Sequence, residues 1–360
     1  QMPLSPLLTF AEGIKETVSV PVMAVGRIND PQLADKILQE GKADLISMGR
    51  ALLADPELPK KAFEGKLDDI RLCIACRGCL LRLWRAQGEG LSISCDVNAA
   101  AGEEKECALV KAGEPKKVLV VGGGPAGMQA AITAASRGHD VTLYEKNDHL
   151  GGQLILAVIP PYKDEIKGFT EYLMRQVKKH KVKVELEKEV DLGLIKEAKP
   201  DVVIVATGSN PLIEKISRVS LSHVVTYKDV LTRSAQVGER VVVIGGSGVG
   251  CETAEFLTQK GRKVTIVAKR QDIASDVEPR TRTLLLERLR SFGVTIIPGV
   301  NVDEITEKRV VIIDKEGGKK NLEADSVVLA HQRSNSELAQ ALENMKGKSF
   351  EMRVIGDCLE

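Results

Sequence analysis

The chain has 360 residues, 43% of them hydrophobic, enough for two or three domains with ordinary buried cores. A formal net charge of +1 and an aromatic content of 3% remove the bulk-electrostatic and stacking arguments for nucleic acid or an anionic membrane surface. No apolar run reaches the roughly 18 residues a bilayer span needs, no signal peptide is visible, and the cysteine usage suits reducing, cytoplasmic conditions. The sequence starts at Gln1 and stops after Ile-Gly-Asp-Cys-Leu-Glu, which suggests a piece of a longer protein.

Residues 1–64 carry strand candidates at Val20 to Val25 and Asp44 to Met48, with a helical pattern from Asp30 to Glu40 between them. Pro31 suits the first helical turn. Each strand runs into a Gly-Arg pair, Gly26-Arg27 and Gly49-Arg50. Glycine lets a phosphate approach backbone N–H groups, and arginine adds charge-assisted hydrogen bonds. Two such ends side by side match the phosphate site after the last two strands of a (β/α)8 barrel. The plainer reading makes Arg27 and Arg50 surface residues of a small α/β fragment. A complete barrel needs about 200 residues and does not fit here.

Next come Cys73, Cys76 and Cys79, two residues apart each time, and Cys95 after a longer gap. Four thiols in this pattern suit a [4Fe–4S] cluster. Zinc, more often held by two separated C-x2-C pairs, and a site without metal are the rival readings. The cysteine loop follows Val-Pro-Val-Met-Ala-Val-Gly-Arg-Ile (20–28) and Ala-Asp-Leu-Ile-Ser-Met-Gly-Arg-Ala-Leu-Leu-Ala-Asp-Pro (43–56). This ordered set resembles the FMN/iron–sulfur family of Old Yellow Enzyme relatives. That family includes 2,4-dienoyl-CoA reductase, enoate reductases and trimethylamine dehydrogenase. The resemblance implies that Gly26, Arg27, Gly49 and Arg50 bind the FMN phosphate. It also implies that Cys73, Cys76, Cys79 and Cys95 hold the cluster beside that flavin. The gap before Cys95 is longer than the family's, so Leu80 to Ser94 is expected to bulge. Residues 65–116 then form the iron–sulfur segment and a charged linker, in which Cys107 is a packed or idle thiol.

Lys117-Val-Leu-Val-Val opens a second unit and runs into Gly122, Gly124, Ala126 and Gly127, a Gly-x-Gly-x-x-Gly fingerprint entering a helix through Arg137. A second strand, Asp140 to Tyr144, ends at Glu145, which lies 145 − 122 = 23 positions beyond the first glycine. That offset suits an acid on a nucleotide ribose. The plainer reading of Glu145 is a solvated strand-end carboxylate. The resemblance places Gly152 and Gln153 along the bound dinucleotide, makes Thr207 and Gly208 a return turn, and sets Gly356 and Asp357 against the flavin ribityl chain. Residues 163–180 are expected to form an amphipathic helix that serves packing.

A matching plan begins at Arg240, with Gly245, Ser247 and Gly250 in the fingerprint positions. Serine replaces the middle glycine, where the backbone should touch pyrophosphate. The 23-residue offset from Gly245 lands on Ala268, followed by Lys269 and Arg270. Cations without an acid favour NADPH over NADH. The plainer reading is a solvated turn. Glu252 packs near the nucleotide or is a helix-surface residue. Gln332 stands where relatives usually carry glycine, and His331 reads as a loop histidine.

The expected fold is therefore α/β. The end of a (β/α)8 barrel (1–64) leads through an iron–sulfur loop segment (65–116) to two doubly wound dinucleotide-binding domains. The FAD-binding domain (117–214 and 345–360) receives an inserted NAD(P)-binding domain (215–344). The implied function is electron transfer from NAD(P)H through FAD and [4Fe–4S] to FMN, reducing an activated C=C bond of a small-molecule substrate. One rival is an amine dehydrogenase of the trimethylamine dehydrogenase type, with ADP in the nucleotide domain and an electron-carrier protein as partner. Asp96-Val-Asn-Ala-Ala-Ala-Gly-Glu-Glu resembles the corresponding stretch of that enzyme. A second rival is a non-catalytic nucleotide-binding or electron-relay module. Neither nucleic acid nor membrane is an expected partner, and a homo-oligomer fits any of these readings.

Overall fold

Val118 to Val121 and Val241 to Ile244 are unbroken apolar runs, and every residue of both is buried. A strand buried on both faces belongs in a parallel sheet covered on each side. Each run forms an inner strand of a five-stranded parallel sheet. In the first sheet the order is Glu351–Val354, Val202–Val205, Lys117–Val121, Asp140–Tyr144, Lys183–Glu185. In the second it is Val224–Thr226, Ser326–Leu329, Arg240–Ile244, Lys263–Ala268, Thr295–Pro298. The two fingerprint strands thus occupy equivalent places in sheets of equivalent order.

The computed structural model describes residues 5–85, 93–213, 221–345, 347 and 349–359. They fall into two compact units. One comprises Gln1–Gly113, Ala135–Gly138 and Asp164–Lys181; the other comprises Glu114–Ala134, His139–Lys163 and Val182–Glu360. The architecture is α/β, with one doubly wound domain inserted in another. No helix among the described residues is long and apolar enough to cross a membrane.

In the first unit, Met23–Val25 and Leu45–Ser47 pair in parallel across the helix Pro31–Gln39. The strand is shorter than the expected Val20 to Val25, because Pro21 has no N–H to give a ladder. Asp30 caps the helix, accepting the Gln32 N–H at 2.9 Å, with Pro31 at its first turn. Further along, the Asp55 carboxylate is buried and accepts from the backbone N–H of Glu57 and Arg71 and from Lys61. The expected bulge between Leu80 and Ser94 begins instead as helix, Gly78–Arg85; residues 86–92 lie outside the described residues.

In the second unit, one face of the inserted sheet packs Val241, Val243 and Ile266 against Leu257 and Leu289 of its helices. The other face packs Val242, Ile244 and Val327 against Val310 and Ile312. These last two lie on a three-stranded antiparallel sheet, Asn301–Ile305, Arg309–Ile313 and Lys319–Glu323, an element the sequence reading missed. An antiparallel ribbon, Ser209–Pro211 with Gln332–Ser334, joins the outgoing and returning chains of the insertion.

A buried ion pair braces the inserted domain. Glu255, with a side chain only 1% exposed, takes Arg288, whose guanidinium lies 4.7 Å from the Tyr162 ring centre. Arg288→Ala would strand a buried carboxylate, whereas Glu255→Ala leaves an arginine that reaches water. Arg288→Ala is expected to cost about 3–5 kcal/mol and Glu255→Ala clearly less. Urea titration of both variants checks this; equal losses would contradict it.

Candidate functional sites

In the first unit the two Gly-Arg strand ends open onto one pocket of about 240 Å³. Gly26, Arg27, Gly49 and Arg50 line it, with Cys73 and Ala75. The Arg27 side chain is 11% exposed and pairs with Glu165, so it is not the solvated residue of the plainer reading. The helix Glu165–Lys179 therefore does more than pack, since its first residue meets a predicted phosphate ligand.

Asn29 ties this pocket to the cysteine loop, donating to the Cys73 carbonyl at 3.1 Å. Ala75 and Arg77 adopt left-handed backbone, with φ 55° and 66°, and coil the loop into the helix that carries Cys79. The Asp96 carboxylate comes within 2.3 Å of where a Cβ on Gly78 would stand, bringing the Cys95 segment onto the helix start. Burial pushes the thiols of Cys73, Cys76 and Cys79 up. Cys73 and Cys95 lie near enough to raise Cys79 further, and Arg50 near enough to oppose the rise at Cys73 and Cys79. Cys73 also acts on Cys76. Among the described residues, no three His, Cys, Asp or Glu side chains are grouped to hold a metal ion. Cys107 is exposed rather than packed.

In the second unit, Gly122 has φ 110°, and a Cβ on Gly127 would lie 1.8 Å from the Gly122 carbonyl oxygen. Strand and helix meet backbone to backbone there. A Cβ on Gly124 would meet nothing within 4 Å. Glu145 is 6% exposed and accepts the Gly123 N–H at 2.7 Å and the Asn147 N–H at 2.9 Å, which corrects the solvated reading. Gly152 comes against Gly124, and Gly356 against Ala126. Gln153 donates to Ser209 at 2.6 Å and to Asp357 at 3.4 Å. Thr207 donates to the Asn335 carbonyl at 2.6 Å, and Gly208 follows with φ 68°.

The second fingerprint borders a cleft of about 460 Å³ lined by Ser247, Lys269, Arg270, Asp276, His331 and Gln332 among others. Gly250 repeats the close approach, 2.0 Å from a Cβ to the Gly245 oxygen. Lys269 and Arg270 are exposed, and Asp272 beside them pairs with Arg282. Ser247 caps nothing with its hydroxyl. The Gly248 N–H instead donates to both Asp276 oxygens, at 2.9 and 3.0 Å. Burial holds the His331 imidazole below its usual pKa. Glu252 pairs with Lys163 at 2.6 Å instead of lining the cleft. Gln332 donates to the Tyr227 hydroxyl at 2.7 Å and to Gln153 at 3.1 Å. Asp276, Tyr227 and Ser209 were missed from sequence; none lies in a motif, and only Asp276, eight residues beyond the expected acid position, had a spacing clue.

Residues 116–351 match the pyridine nucleotide-disulphide oxidoreductase family, and residues 6–69 match the NADH:flavin oxidoreductase / NADH oxidase family. The chain is 45% identical over 357 residues to NADH oxidase of Thermoanaerobacter brockii, covering 97% of this chain and 54% of that protein. It is 39% identical over 327 residues to cinnamate reductase of Clostridium sporogenes, covering 90% and 48%. A 2-naphthoyl-CoA reductase in complex with 2-naphthoyl-CoA superposes with a TM-score of 0.92 at 34% identity, covering 99% of this chain and 54% of that one. The chain spans about half the length of the curated relatives it matches.

The two first-fingerprint glycines separate folding from binding. Gly127→Ala is expected to unfold the domain or cut its stability by several kcal/mol, because the added carbon meets backbone. Gly124→Ala should keep the fold and weaken flavin-dinucleotide binding by about tenfold or more, since its methyl enters ligand space. Circular dichroism with flavin titration distinguishes them; equal flavin affinity in Gly124→Ala and wild type would contradict the placement.

Proposed function

We propose a function from one premise, that this chain belongs to the Old Yellow Enzyme-related flavoproteins, with a pyridine nucleotide-disulphide oxidoreductase region over residues 116–351: it is the electron-feeding part of an NAD(P)H-dependent iron–sulfur flavoprotein that reduces an activated C=C bond of an enoate or thioester type. When bound, nicotinamide supplies hydride, the flavins handle electron pairs, and a [4Fe–4S] cluster passes electrons singly between them. The observation that carries the reading is the shared pocket of the first unit, where both Gly-Arg strand ends meet Cys73.

Gly26 and Gly49 offer backbone approach for a flavin phosphate, and Arg50 supplies positive charge. Arg27 would exchange its Glu165 partner for that phosphate, or share it. Cys73, Cys76, Cys79 and Cys95 would hold the cluster once their side chains draw together; the four free thiols, a loop coiled by two left-handed residues, and Arg50 nearby to offset thiolate charge support this reading. In the first fingerprint, Gly124 leaves room for pyrophosphate, Glu145 is held against the glycine turn, and Gln153 and Asp357 are hydrogen-bonded at the flavin end. In the second, Lys269 and Arg270 form no ion pair among the described residues and suit the 2′-phosphate of NADPH. Free thiols also suit a reducing, cytoplasmic setting.

Anaerobic reconstitution is expected to load about four irons with matching acid-labile sulfide. Stoichiometric zinc without sulfide, or iron unchanged in Cys76→Ala, would overturn the cluster assignment. NADPH should be preferred over NADH by about ten- to a hundredfold in kcat/KM with an artificial acceptor. Removing both Lys269 and Arg270 should abolish the preference; its survival would assign the 2′-phosphate elsewhere.

A further inference from the structure

We propose that Asp276 sets the affinity of the second nucleotide cleft: its carboxylate holds the backbone amide that a nicotinamide dinucleotide's pyrophosphate would take, and nucleotide entry must swing it aside. The inference rests on reading that cleft as the nicotinamide site.

The two fingerprints differ at a second informative position besides Ser247. Three residues beyond the opening glycine the first has Pro125, which has no N–H, and the second has Gly248, which does. Gly248 begins the twelve-residue helix Gly248–Gln259. Its N–H is one of the unsatisfied donors that make such a terminus attract anions. Ser247, in the cap position, leaves that donor unserved. Asp276 serves it with both oxygens, at 2.9 and 3.0 Å. An anion from the protein itself therefore sits where a ligand anion would go.

The loop that presents Asp276 is anchored on both sides. The Ala274 N–H donates to the Gly246 carbonyl at 2.6 Å. Glu278 caps the next helix, accepting the Thr281 N–H at 2.9 Å. The backbone is fixed, while Asp276 itself is exposed and can rotate towards water. Of the two acids lining the cleft, Asp272 is engaged with Arg282, and only Asp276 lies on the fingerprint amide. A pyrophosphate approaching Gly248 meets a like charge and an occupied donor. Lys269 and Arg270 attract the other phosphate from across the same cleft. This opposition weakens binding of reduced and oxidised nucleotide alike, and so speeds product departure.

Asp276→Asn removes the charge yet keeps an oxygen for the Gly248 N–H, so the loop should hold. Titration calorimetry of the flavin-loaded chain with NADP+, which cannot donate hydride, reads affinity without turnover. Asp276→Asn is expected to tighten NADP+ by about tenfold at low salt, with the gain shrinking at high salt. Asp272→Asn should give a gain at least about threefold smaller. Asp276→Ala should also tighten binding, while lowering the melting temperature of the nucleotide-free protein because the helix loses its cap. If wild type binds NADP+ and Asp276→Asn binds within about twofold of it, or if Asp272→Asn matches its gain, the inference falls and the cleft assignment stands. If neither wild type nor Asp276→Asn binds NADP+, the cleft assignment itself falls, and the inference with it.

Discussion

The contact on which the second unit depends is backbone against backbone at the two fingerprint turns. Gly127 sits on the Gly122 carbonyl and Gly250 on the Gly245 carbonyl, with no room for a side chain in either place. That approach fixes each helix at the carboxyl end of an inner strand. It aims the helix's first amides at the crevice where parallel sheets take ligands. Helix placement at both turns thus follows from one steric fact used twice. What differs between the copies lies at the rim. The first leaves Gly124 facing open space and holds Glu145 beneath the turn. The second has serine in the middle position and an aspartate on the next amide.

The same logic of charge held in reserve appears in the first unit. Arg27 is nearly buried, and its partner Glu165 comes from a helix far along the chain. A buried arginine needs a counter-anion. The Glu165 carboxylate balances the Arg27 charge beside the pocket of that unit, as Asp276 satisfies the helix terminus. Both devices solve one problem: a cation or an unserved amide near the interior needs a carboxylate partner.

The sequence alone was sufficient for the elements built on periodicity and glycine spacing. The parallel strands at Lys117, Asp140, Arg240 and Lys263 stand where their apolar runs put them. The antiparallel sheet of Asn301 to Glu323 was not legible, because its strands mix charge with short apolar runs and carry no motif. Strand ends shifted where a local rule intervened, as at Pro21. Pairings between distant residues were illegible for a different reason. Arg27 with Glu165 and Gly248 with Asp276 depend on where loops return in space, which no local pattern encodes. Glu145 stands at the fingerprint offset, but its burial could not be read, since the same offset suits a solvated acid.

Gln332 shows how a departure from a pattern acquires a physical reason. Its amide hydrogens are both used, one on the buried Tyr227 and one on Gln153. Gln153 in turn spends both of its own on Ser209 and Asp357. The result is a continuous chain of side-chain hydrogen bonds from the wall of the second cleft to Asp357 beside the first fingerprint. Glycine at position 332 would leave Tyr227 and Gln153 without that partner. The ribbon Ser209–Pro211 with Gln332–Ser334 joins the same two domains, as do the Lys163–Glu252 pair and the Thr207–Asn335 hydrogen bond. Because each amide is fully committed, a change of relative position must break several bonds together rather than one. The wall of the second cleft and the turn of the first fingerprint are thereby joined through named hydrogen bonds.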